Sequence, residues 1–497
     1  MNKGNGAIFN AYPDSIGGRL AEAVRFLSLP ELNRVFDCFY ILPSLFHSDI
    51  DRGFSIIDYG INEAFSEAAD LENIERMGIQ LKLDFLINHI SVLSGQFQDI
   101  LKNGEESRYR DFFIDWNMFW EGFGEMTGEG YIQPYPEVIK DMFFRKPGLP
   151  LLMVSFSDGR EVPYWNTFYQ EIIEPGKKYL GQMDLNVKSP LVWDFYDETL
   201  RRLRDYGAET VRLDAFAYVS KEPGSRNFLN EPGTWDILDR LSVLANKYSL
   251  TLLPEIHAIY GEGVHRKLSE KGYLIYDFFL PGLIIDALSR RSNNALLRWI
   301  REILDQNIKT VNMLGCHDGI PLLDLKGLLA DDQIESLIAL VTSRGGVIKD
   351  LHGKTNVYYQ VNATYYSALG ESDDALLLAR AIQIFMPGRP QAWYLDILAG
   401  KNDYEAVNKA GAGNHKEINR TNLTYEQAED ALKKDVVQKQ LALLRFRNSF
   451  PAFKEGASCL IMETPANQLK LRWEHGRCAA ELTADLENVS FTILQDQ

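Results

Sequence analysis

The feature that most limits the fold of this chain is a repeated alternation of short apolar runs and amphipathic segments. Segments with helical periodicity, such as 191–207 and 233–249, lie between the apolar runs. Repeated strand–helix units of this kind are typical of an α/β fold with a parallel sheet. Six runs have the length and composition of strands: "DCFYILP" (37–43), "IQLKLDFLIN" (79–88), "TVRLDAF" (210–216), "LTLLPEI" (250–256), "YLIYDF" (273–278) and "IKTVNMLG" (308–315).

Acidic residues at the ends of these runs indicate which α/β fold it is. Asp214 and Glu255 are 41 residues apart, and Glu255 and Asp318 are 63 residues apart. Those intervals fit one and two strand–helix units, respectively. The three acidic residues would then lie at the carboxyl ends of barrel strands. A doubly wound sheet is the alternative, but no glycine-rich nucleotide-binding turn follows the first run. The sequence therefore predicts a (β/α)₈ TIM barrel.

Two long intervals and a distinct tail interrupt or follow the barrel pattern. The interval after the second run is rich in aromatic residues, glycine and proline, and loops this long are usually functional. The tail alternates apolar and polar residues, which predicts a small antiparallel β domain. The predicted segments are barrel 1–88, first insertion 89–187, barrel 188–318, second insertion 319–370, barrel 371–450 and C-terminal β domain 451–497.

Composition excludes some classes of partner. The chain has 497 residues and a formal net charge of −17, which argues against nucleic acid or anionic membranes as partners. No stretch has the length and apolarity of a membrane span, and "MNKGNGAIFN" does not resemble a signal peptide. The four cysteines are scattered, which indicates reduced thiols. We therefore expect a cytoplasmic protein.

The acidic residues at the strand ends predict glycoside chemistry. Retaining glycosidases need one carboxylate as nucleophile and a second as acid and base. A single buried aspartate is more often a structural group, but Asp214, Glu255 and Asp318 recur at barrel-compatible intervals. Arg212 lies two residues before Asp214 and so on the same face of a strand, where it can orient that carboxylate. His89 and His317 are either ligands of sugar hydroxyls or core histidines.

Four segments then resemble, in chain order, the signature regions of the alpha-amylase superfamily. Further segments, among them "DRGFSIIDY" (51–59), "NATYYSALG" (362–370) and "EINR" (417–420), resemble its sucrose phosphorylase subfamily. The resemblance implies a barrel with inserted B and B′ regions, formed by the two insertions, and a C-terminal β domain. The four signature-like segments are "DFLINH" (84–89), "VRLDAFAY" (211–218), "LPEIH" (253–257) and "CHDG" (316–319).

The resemblance also implies a role for each site residue. Asp214 would be the nucleophile, Glu255 the general acid and base, and Asp318 the group that stabilises the oxocarbenium-like sugar. Inorganic phosphate would be the co-substrate, and the resemblance permits a monomer or a homodimer. The sequence has no metal-binding motif, so we expect no metal and no other cofactor. The implied ligands of the glucosyl group are Asp51, Phe54, His89, Arg212, His317, Gln360 and Arg420. The implied ligands of phosphate or of the leaving group are Arg145, Lys146, His352, Tyr359, His415 and Lys416.

The leaving group is the least constrained part of the prediction. Val357 stands where the members that cleave sucrose or sucrose 6′-phosphate carry an aspartate, so a fructosyl leaving group loses a hydroxyl acceptor. The implied leaving-group ligands His352, His415 and Lys416 are basic, which suits an anionic leaving group. This set of basic residues is most similar to that of the glucosylglycerate phosphorylases. We therefore predict phosphorolysis of 2-O-α-glucosyl-glycerate to glucose 1-phosphate and glycerate. Sucrose 6′-phosphate, sucrose and glucosylglycerol are alternative substrates. Two alternatives from other functional classes are an α-glucosidase that hydrolyses the same linkage and a non-catalytic sugar-binding barrel.

Overall fold

The computed structural model describes residues 6–173, 177–350, 358–411 and 414–496. The chain separates into two compact units. The first unit comprises Met1–Ile41, Ala69–Leu81 and His257–Gln497. The second unit comprises Leu42–Ala68 and Lys82–Ile256.

Eight parallel-sheet strands, numbered here in chain order, form the framework of the molecule. In the first unit β1 pairs in parallel with β2 and β8, β8 pairs with β7, and β7 pairs with β6. In the second unit β4 pairs in parallel with β5. Eight such strands are the number that a (β/α)₈ barrel requires. They are β1 (Ile8–Ala11), β2 (Cys38–Ile41), β3 (Gln80–Leu86), β4 (Ala208–Asp214), β5 (Thr251–Pro254), β6 (Ile275–Asp277), β7 (Thr310–Met313) and β8 (Arg389–Trp393).

Helices lie between these strands along the chain. Helix Pro190–Asp205 buries Val192, Tyr196, Leu200 and Leu203, the spacing of a single apolar helical face. The helices that belong mainly to the first unit are Leu20–Leu27, Ala68–Arg76, Val264–Glu270, Leu280–Arg290, Asn294–Asp305, Asp331–Ser343, Tyr365–Ala368, Asp373–Phe385, Tyr394–Ile397, Tyr404–Ala410, Tyr425–Leu432 and Asp435–Ser449. Those of the second unit are Gly95–Asn103, Trp116–Phe119, Pro136–Ile139, Pro190–Asp205 and Gly233–Lys247.

Short antiparallel strands fill the first predicted insertion and the segment before it. Trp116, Trp120 and Trp165 form an aromatic cluster there, with ring centroids 4.9 to 6.1 Å apart. These large apolar rings give the insertion a core of its own. The strands are Phe46–Ser48, Ile56–Ile61, His89–Ser91, Gly124–Met126, Ile132–Pro134, Leu151–Ser155, Glu161–Trp165, Gln170–Ile173 and Lys178–Asp184.

The remaining strands belong to the first unit. Val347–Asp350 and Tyr358–Asn362 pair antiparallel within the second predicted insertion. The C-terminal sheet contains Ser458–Ile461, Gln468–His475, Cys478–Asp485 and Ser490–Asp496 in that order, all antiparallel. Leu469, Leu471 and Trp473 are buried on one face of its second strand, as the alternation predicts. The prediction of a small antiparallel C-terminal domain is confirmed.

Two further expectations can be compared with the fold. All four cysteines are free thiols in the structure. Across the described ranges, no helix combines the length and apolarity that crossing a bilayer would need.

Candidate active site

A single guanidinium lies between three carboxylates in the second unit. Arg212 donates through Nη1 to Oδ1 of Asp214 at 2.8 Å and to Oδ1 of Asp84 at 2.6 Å. Its Nη2 lies 3.0 Å from Oε1 of Glu255. The Arg212 side chain is 3% exposed and that of Asp84 is fully buried, whereas those of Asp214 and Glu255 are each 11% exposed. The arginine therefore orients the predicted nucleophile and the predicted acid–base group together.

The backbone of two neighbouring strands brings these groups together. Leu213 of β4 is paired with Pro254 of β5, and the amide of Glu255 donates to the Leu213 carbonyl at 3.1 Å. Immediately after β4, Ala215 adopts a left-handed conformation with φ of 50°. Its amide donates to Oε2 of Glu255 at 3.1 Å. Glu255 is thus held at both carboxylate oxygens, one by a charged donor and one by a backbone donor.

The charges of this group matter for acid–base chemistry. One guanidinium faces three carboxyl groups, so the four side chains together carry excess negative charge when all are ionised. A retaining glycoside reaction uses two carboxyl groups in different roles: one carboxylate attacks while the other donates a proton. Asp214 and Glu255, both in contact with Arg212, are placed for these two roles.

Phe54 is presented by a constrained turn. Asp51, Arg52 and Gly53 all have positive φ, at 51°, 49° and 107°. A Cβ on Gly53 would lie 2.1 Å from the backbone nitrogen of Ser44, so only glycine fits. The buried Phe54 ring lies 5.7 Å from the guanidinium carbon of Arg212. Asp51 is exposed at the start of the turn. The predicted apolar platform therefore lies beside the predicted catalytic pair.

His89 is buried with hydrogen-bond partners at both ring nitrogens. Its Nε2 lies 3.1 Å from the carbonyl of Phe54, and its Nδ1 lies 3.3 Å from the side-chain amide of Asn88. Burial lowers the pKa of His89, and Lys221 acts in the same direction, against Asp184. A neutral imidazole results. Both ring nitrogens of His89 therefore contact protein groups, one of them in the platform residue Phe54, and its role toward the sugar stays a prediction.

The two basic residues of the first insertion differ in environment. Arg145 donates to the hydroxyl of Tyr218 at 3.1 Å, with its guanidinium carbon 5.2 Å from the Phe168 ring centroid. Lys146 is half-buried and donates to amide oxygens of Asn166 and Gln170, the latter at 3.0 Å. Burial lowers the pKa of Lys146 to about 8, although Asp184 raises it. Because both lysine partners are neutral, these contacts leave its positive charge uncompensated and able to attract an anion.

The first unit carries the third predicted carboxylate. Asp318 accepts from the ammonium of Lys416 at Oδ1, and its Oδ2 lies 3.1 Å from Nε2 of His317. Arg420 lies 3.7 Å from Oδ1 and donates through Nε to the His317 carbonyl at 2.8 Å. Burial alone would raise the pKa of Asp318, but His317, Lys416 and Arg420 together hold it well below its usual range. Asp318 is therefore ionised.

The remaining predicted ligands are less well defined. Gln360 is buried, and His415 is half-buried on the same turn as Lys416. His352 and Val357 lie outside the described residues, as does the side chain of Tyr359. Their assigned roles stay predictions.

Three possible metal ligands of the first unit lie close together. Single donor atoms of Cys316, His317 and Asp318 lie within 4.8 Å of one another. The Asp318 carboxylate already contacts Lys416 and lies near Arg420, and both positive charges oppose a divalent cation. The residues therefore fit a charge-paired carboxylate better than a metal site.

Sequence patterns alone did not single out four residues that hold the second-unit group in place. Asp84 lies within "DFLINH" and alternates with apolar residues on β3, a signal that could have identified it as inward-facing. Asn88, Asp184 and Lys221 form a buried polar cluster beside His89. These three come from segments far apart along the chain, so periodicity gives no indication of their contact.

Comparison with known proteins identifies the family. A protein-family model described as the alpha-amylase catalytic domain matches residues 35–271. Over 503 aligned residues the chain is 54% identical to a sucrose 6(F)-phosphate phosphorylase of Ilumatobacter coccineus, covering 99% of this chain and 96% of that protein. The chain belongs to the sucrose phosphorylase subfamily of the alpha-amylase superfamily. It is a glycoside phosphorylase.

Two further relatives bear on the fold and on the substrate range of this phosphorylase subfamily. The crystal structure of sucrose 6F-phosphate phosphorylase from Thermoanaerobacter thermosaccharolyticum matches with a TM-score of 0.90 at 36% identity, over 100% of this chain and 96% of that one. A glucosylglycerate phosphorylase of Escherichia coli is 29% identical over 85% of this chain and 73% of that protein. The predicted (β/α)₈ barrel with a C-terminal antiparallel sheet is confirmed, and the phosphorylase subfamily includes enzymes with different leaving groups.

Proposed function

We propose that this phosphorylase transfers the α-glucosyl group of sucrose 6F-phosphate to inorganic phosphate. The products are α-glucose 1-phosphate and fructose 6-phosphate, and the reaction is reversible. The observation that carries the choice of substrate is 54% identity, over 99% of this chain, to a protein named sucrose 6(F)-phosphate phosphorylase. Glycerate, the leaving group predicted from the sequence, is a second candidate.

The first displacement uses the two carboxyl groups that contact Arg212. Asp214 attacks the anomeric carbon and forms a covalent glucosyl ester, while Glu255 protonates the departing glycosidic oxygen. Contacts of 2.8 Å and 3.0 Å from one guanidinium support this pairing, because they hold both groups in fixed orientation. Retaining chemistry requires a carboxyl separation of about 5 Å, which two neighbours of one guanidinium can meet.

The second displacement returns the glucosyl group to phosphate. Glu255, now ionised, accepts a proton from the incoming phosphate as its oxygen attacks the anomeric carbon and Asp214 leaves. Asp318 contributes a negative charge, kept ionised by its basic neighbours, that stabilises the developing oxocarbenium ion. Arg145 and Lys146 supply the positive charge that a phosphate dianion or a phosphorylated leaving group needs.

A second candidate changes the leaving group to glycerate. Two relatives named glucosylglycerate phosphorylase are 29% and 27% identical to this chain, and glycerate is also an anion. The ammonium of Lys146, whose hydrogen-bond partners are neutral, favours an anionic leaving group of either kind. Sucrose and glucosylglycerol have neutral leaving groups, so the positive charge of the site favours them less than the two anionic candidates.

The test runs the reaction in the synthetic direction and measures phosphate release. Purified enzyme is given α-glucose 1-phosphate with one acceptor at a time: fructose 6-phosphate, D-glycerate, fructose or glycerol. We expect rapid release with fructose 6-phosphate. Rapid release with glycerate alone would replace the first candidate with the second.

A matched control without acceptor separates phosphorolysis from hydrolysis. Phosphate release that is equal with and without every acceptor would mean that water receives the glucosyl group. An Asp214→Asn variant, which should release none, excludes contaminating activities.

A further inference from the structure

A buried lysine lies behind the glucosyl-binding residues of the second unit. The side chain of Lys221 is 1% exposed and its ammonium donates to three acceptors. These are Oδ2 of Asp184 at 2.8 Å, Oδ1 of Asn88 at 2.9 Å and the carbonyl of Tyr218 at 2.6 Å. An ammonium has three protons, so each of them has an acceptor.

These contacts determine how Asn88 is oriented. A lysine ammonium only donates, so the Asn88 amide must turn its oxygen toward Lys221. The amide nitrogen then donates to Oδ2 of Asp184 at 3.0 Å and faces Nδ1 of His89 at 3.3 Å. Because that nitrogen donates, Nδ1 of His89 must accept, and the imidazole proton lies on Nε2.

The tautomer of His89 has a consequence for the site. With its proton on Nε2, His89 donates to the carbonyl of Phe54 at 3.1 Å. Phe54 is the ring beside the guanidinium of Arg212, which orients Asp214. A chain of directional contacts therefore runs from Lys221 to the platform of the glucosyl subsite.

A second branch leads from the same lysine to the basic insertion. Lys221 holds the backbone carbonyl of Tyr218, and the hydroxyl of that tyrosine accepts from Nη1 of Arg145 at 3.1 Å. Displacement of Tyr218 would therefore move a group that the proposed function assigns to phosphate.

We propose that Lys221 is a positioning residue of the phosphorylase: through Asn88 it fixes the neutral Nε2–H tautomer of His89 and the place of Phe54, and through Tyr218 it positions Arg145. Lys221 itself touches no reacting group. The kinetic consequence rests on the proposed function, whereas the ring tautomer does not.

The charged groups around His89 set the design of the variants. Asp184, Lys221 and Asp51 all act electrostatically on the His89 ring. Removing one charge alone would therefore change the pKa of His89 as well as its tautomer, and the two effects could not be separated. Lys221→Met alone also leaves the buried Asp184 carboxylate without its cation. The Lys221→Met/Asp184→Asn double variant removes both charges. The matched control is Arg290→Met/Asp286→Asn, which removes a partly buried pair, 2.7 Å apart, within one helix of the first unit.

The primary measurement is the nitrogen chemical shift of the His89 ring in protein labelled with ¹⁵N-histidine, assigned by the signal lost in His89→Gln. Wild type and control should show one neutral Nε2–H tautomer. The double variant should show a mixture, with kcat/KM reduced roughly 10- to 100-fold and a higher KM for phosphate.

Three results would overturn the proposal. One is a single Nε2–H tautomer in the double variant. Another is a changed tautomer with kinetic constants within twofold of wild type. The third is an unchanged His89 tautomer in Asn88→Ala, the variant to use if the double variant does not fold. Asn88→Ala removes the contact between Lys221 and His89 but leaves the Lys221–Asp184 ion pair intact. If the wild-type protein showed no phosphorolysis, only the proposed function would be refuted. The His89 ring signal could still be measured, so the tautomer could still be tested.

Discussion

Lys416 and Asp318 form an ion pair in which the ammonium contacts one carboxylate oxygen, while His317 contacts the other at 3.1 Å. Lys416 is about one-third exposed, with 34% of its side chain accessible, so the pair is reachable from solvent. A sugar hydroxyl that bound Asp318, as the proposed function requires, would compete with Lys416 for the same carboxylate.

Replacement of Lys416 by methionine should make activity more sensitive to acid. The pKa of Asp318 is held low by its basic neighbours, so loss of one of them raises it. The acid limb of kcat/KM should therefore move to higher pH. Lys401→Met, which removes an exposed lysine paired with Glu371, is the control. Superimposable pH profiles for wild type and Lys416→Met would contradict the prediction.

The same pair gives a stability prediction with a defined sign. A carboxyl whose pKa is depressed in the folded state contributes stability above its unfolded pKa of about 3.9, and that contribution is lost as pH falls further. Lys416→Met should therefore lower the free energy of unfolding near pH 6 and have less effect in stronger acid. Urea unfolding at several pH values measures the difference.

Replacement of Arg212 by lysine should reduce activity although the positive charge remains. A compact ammonium cannot reach Asp84, Asp214 and Glu255 with the geometry of a planar guanidinium. We expect kcat/KM to fall about 100- to 1,000-fold, comparable to loss of one preorganised donor. Phosphorolysis rates and the urea midpoint are measured together. Arg290→Lys is the control, and activity within fivefold of wild type in Arg212→Lys would refute the assignment.

Phosphate binding should weaken at alkaline pH. The ammonium of Lys146, with a pKa of about 8, is charged below that value and loses its proton above it. The KM for phosphate should therefore rise above pH 8, by up to about tenfold per pH unit if the charged form alone binds. In Lys146→Met the KM should be high at every pH. Lys177→Met, on the same insertion, serves as control. A flat pH dependence in wild type would remove Lys146 from the phosphate site.

His47 predicts a separate pH effect on stability. Its hydrogen bond to Glu63 raises its pKa, with burial opposing and Asp58 adding to the rise. A raised histidine pKa stabilises the fold below the unfolded value of about 6.5, and this stabilisation is lost as pH rises through the folded pKa. His47→Gln should make thermal stability depend less on pH between 5.5 and 8 than it does in the wild type. Equal slopes of thermal stability against pH in wild type and His47→Gln would contradict the prediction.

Local patterns sufficed for the fold class because buried strands and amphipathic helices leave a periodic signal. All six strand-like runs coincide with observed strands. Two barrel strands had no such signal. Ile8–Ala11 follows the polar segment "MNKGNG" and includes Asn10 among its four residues. Arg389–Trp393 begins with Arg, Pro and Gln, residues that usually indicate a loop. Arg389 is accommodated because it donates to Asp37 at 2.7 Å and to the Gly6 carbonyl at 2.9 Å.

The sequence by itself determined the fold class and predicted the catalytic carboxylates, because Asp214, Glu255 and Asp318 recur at intervals set by the strand–helix repeat. Only the tertiary structure decided what holds them. Asp84 shares the guanidinium of Arg212, although 128 residues separate the two. Lys221 meets Asn88 across 133 residues. Periodicity records which face a residue occupies, whereas the partner of a buried charge depends on which segments fold against it, and that information is not local.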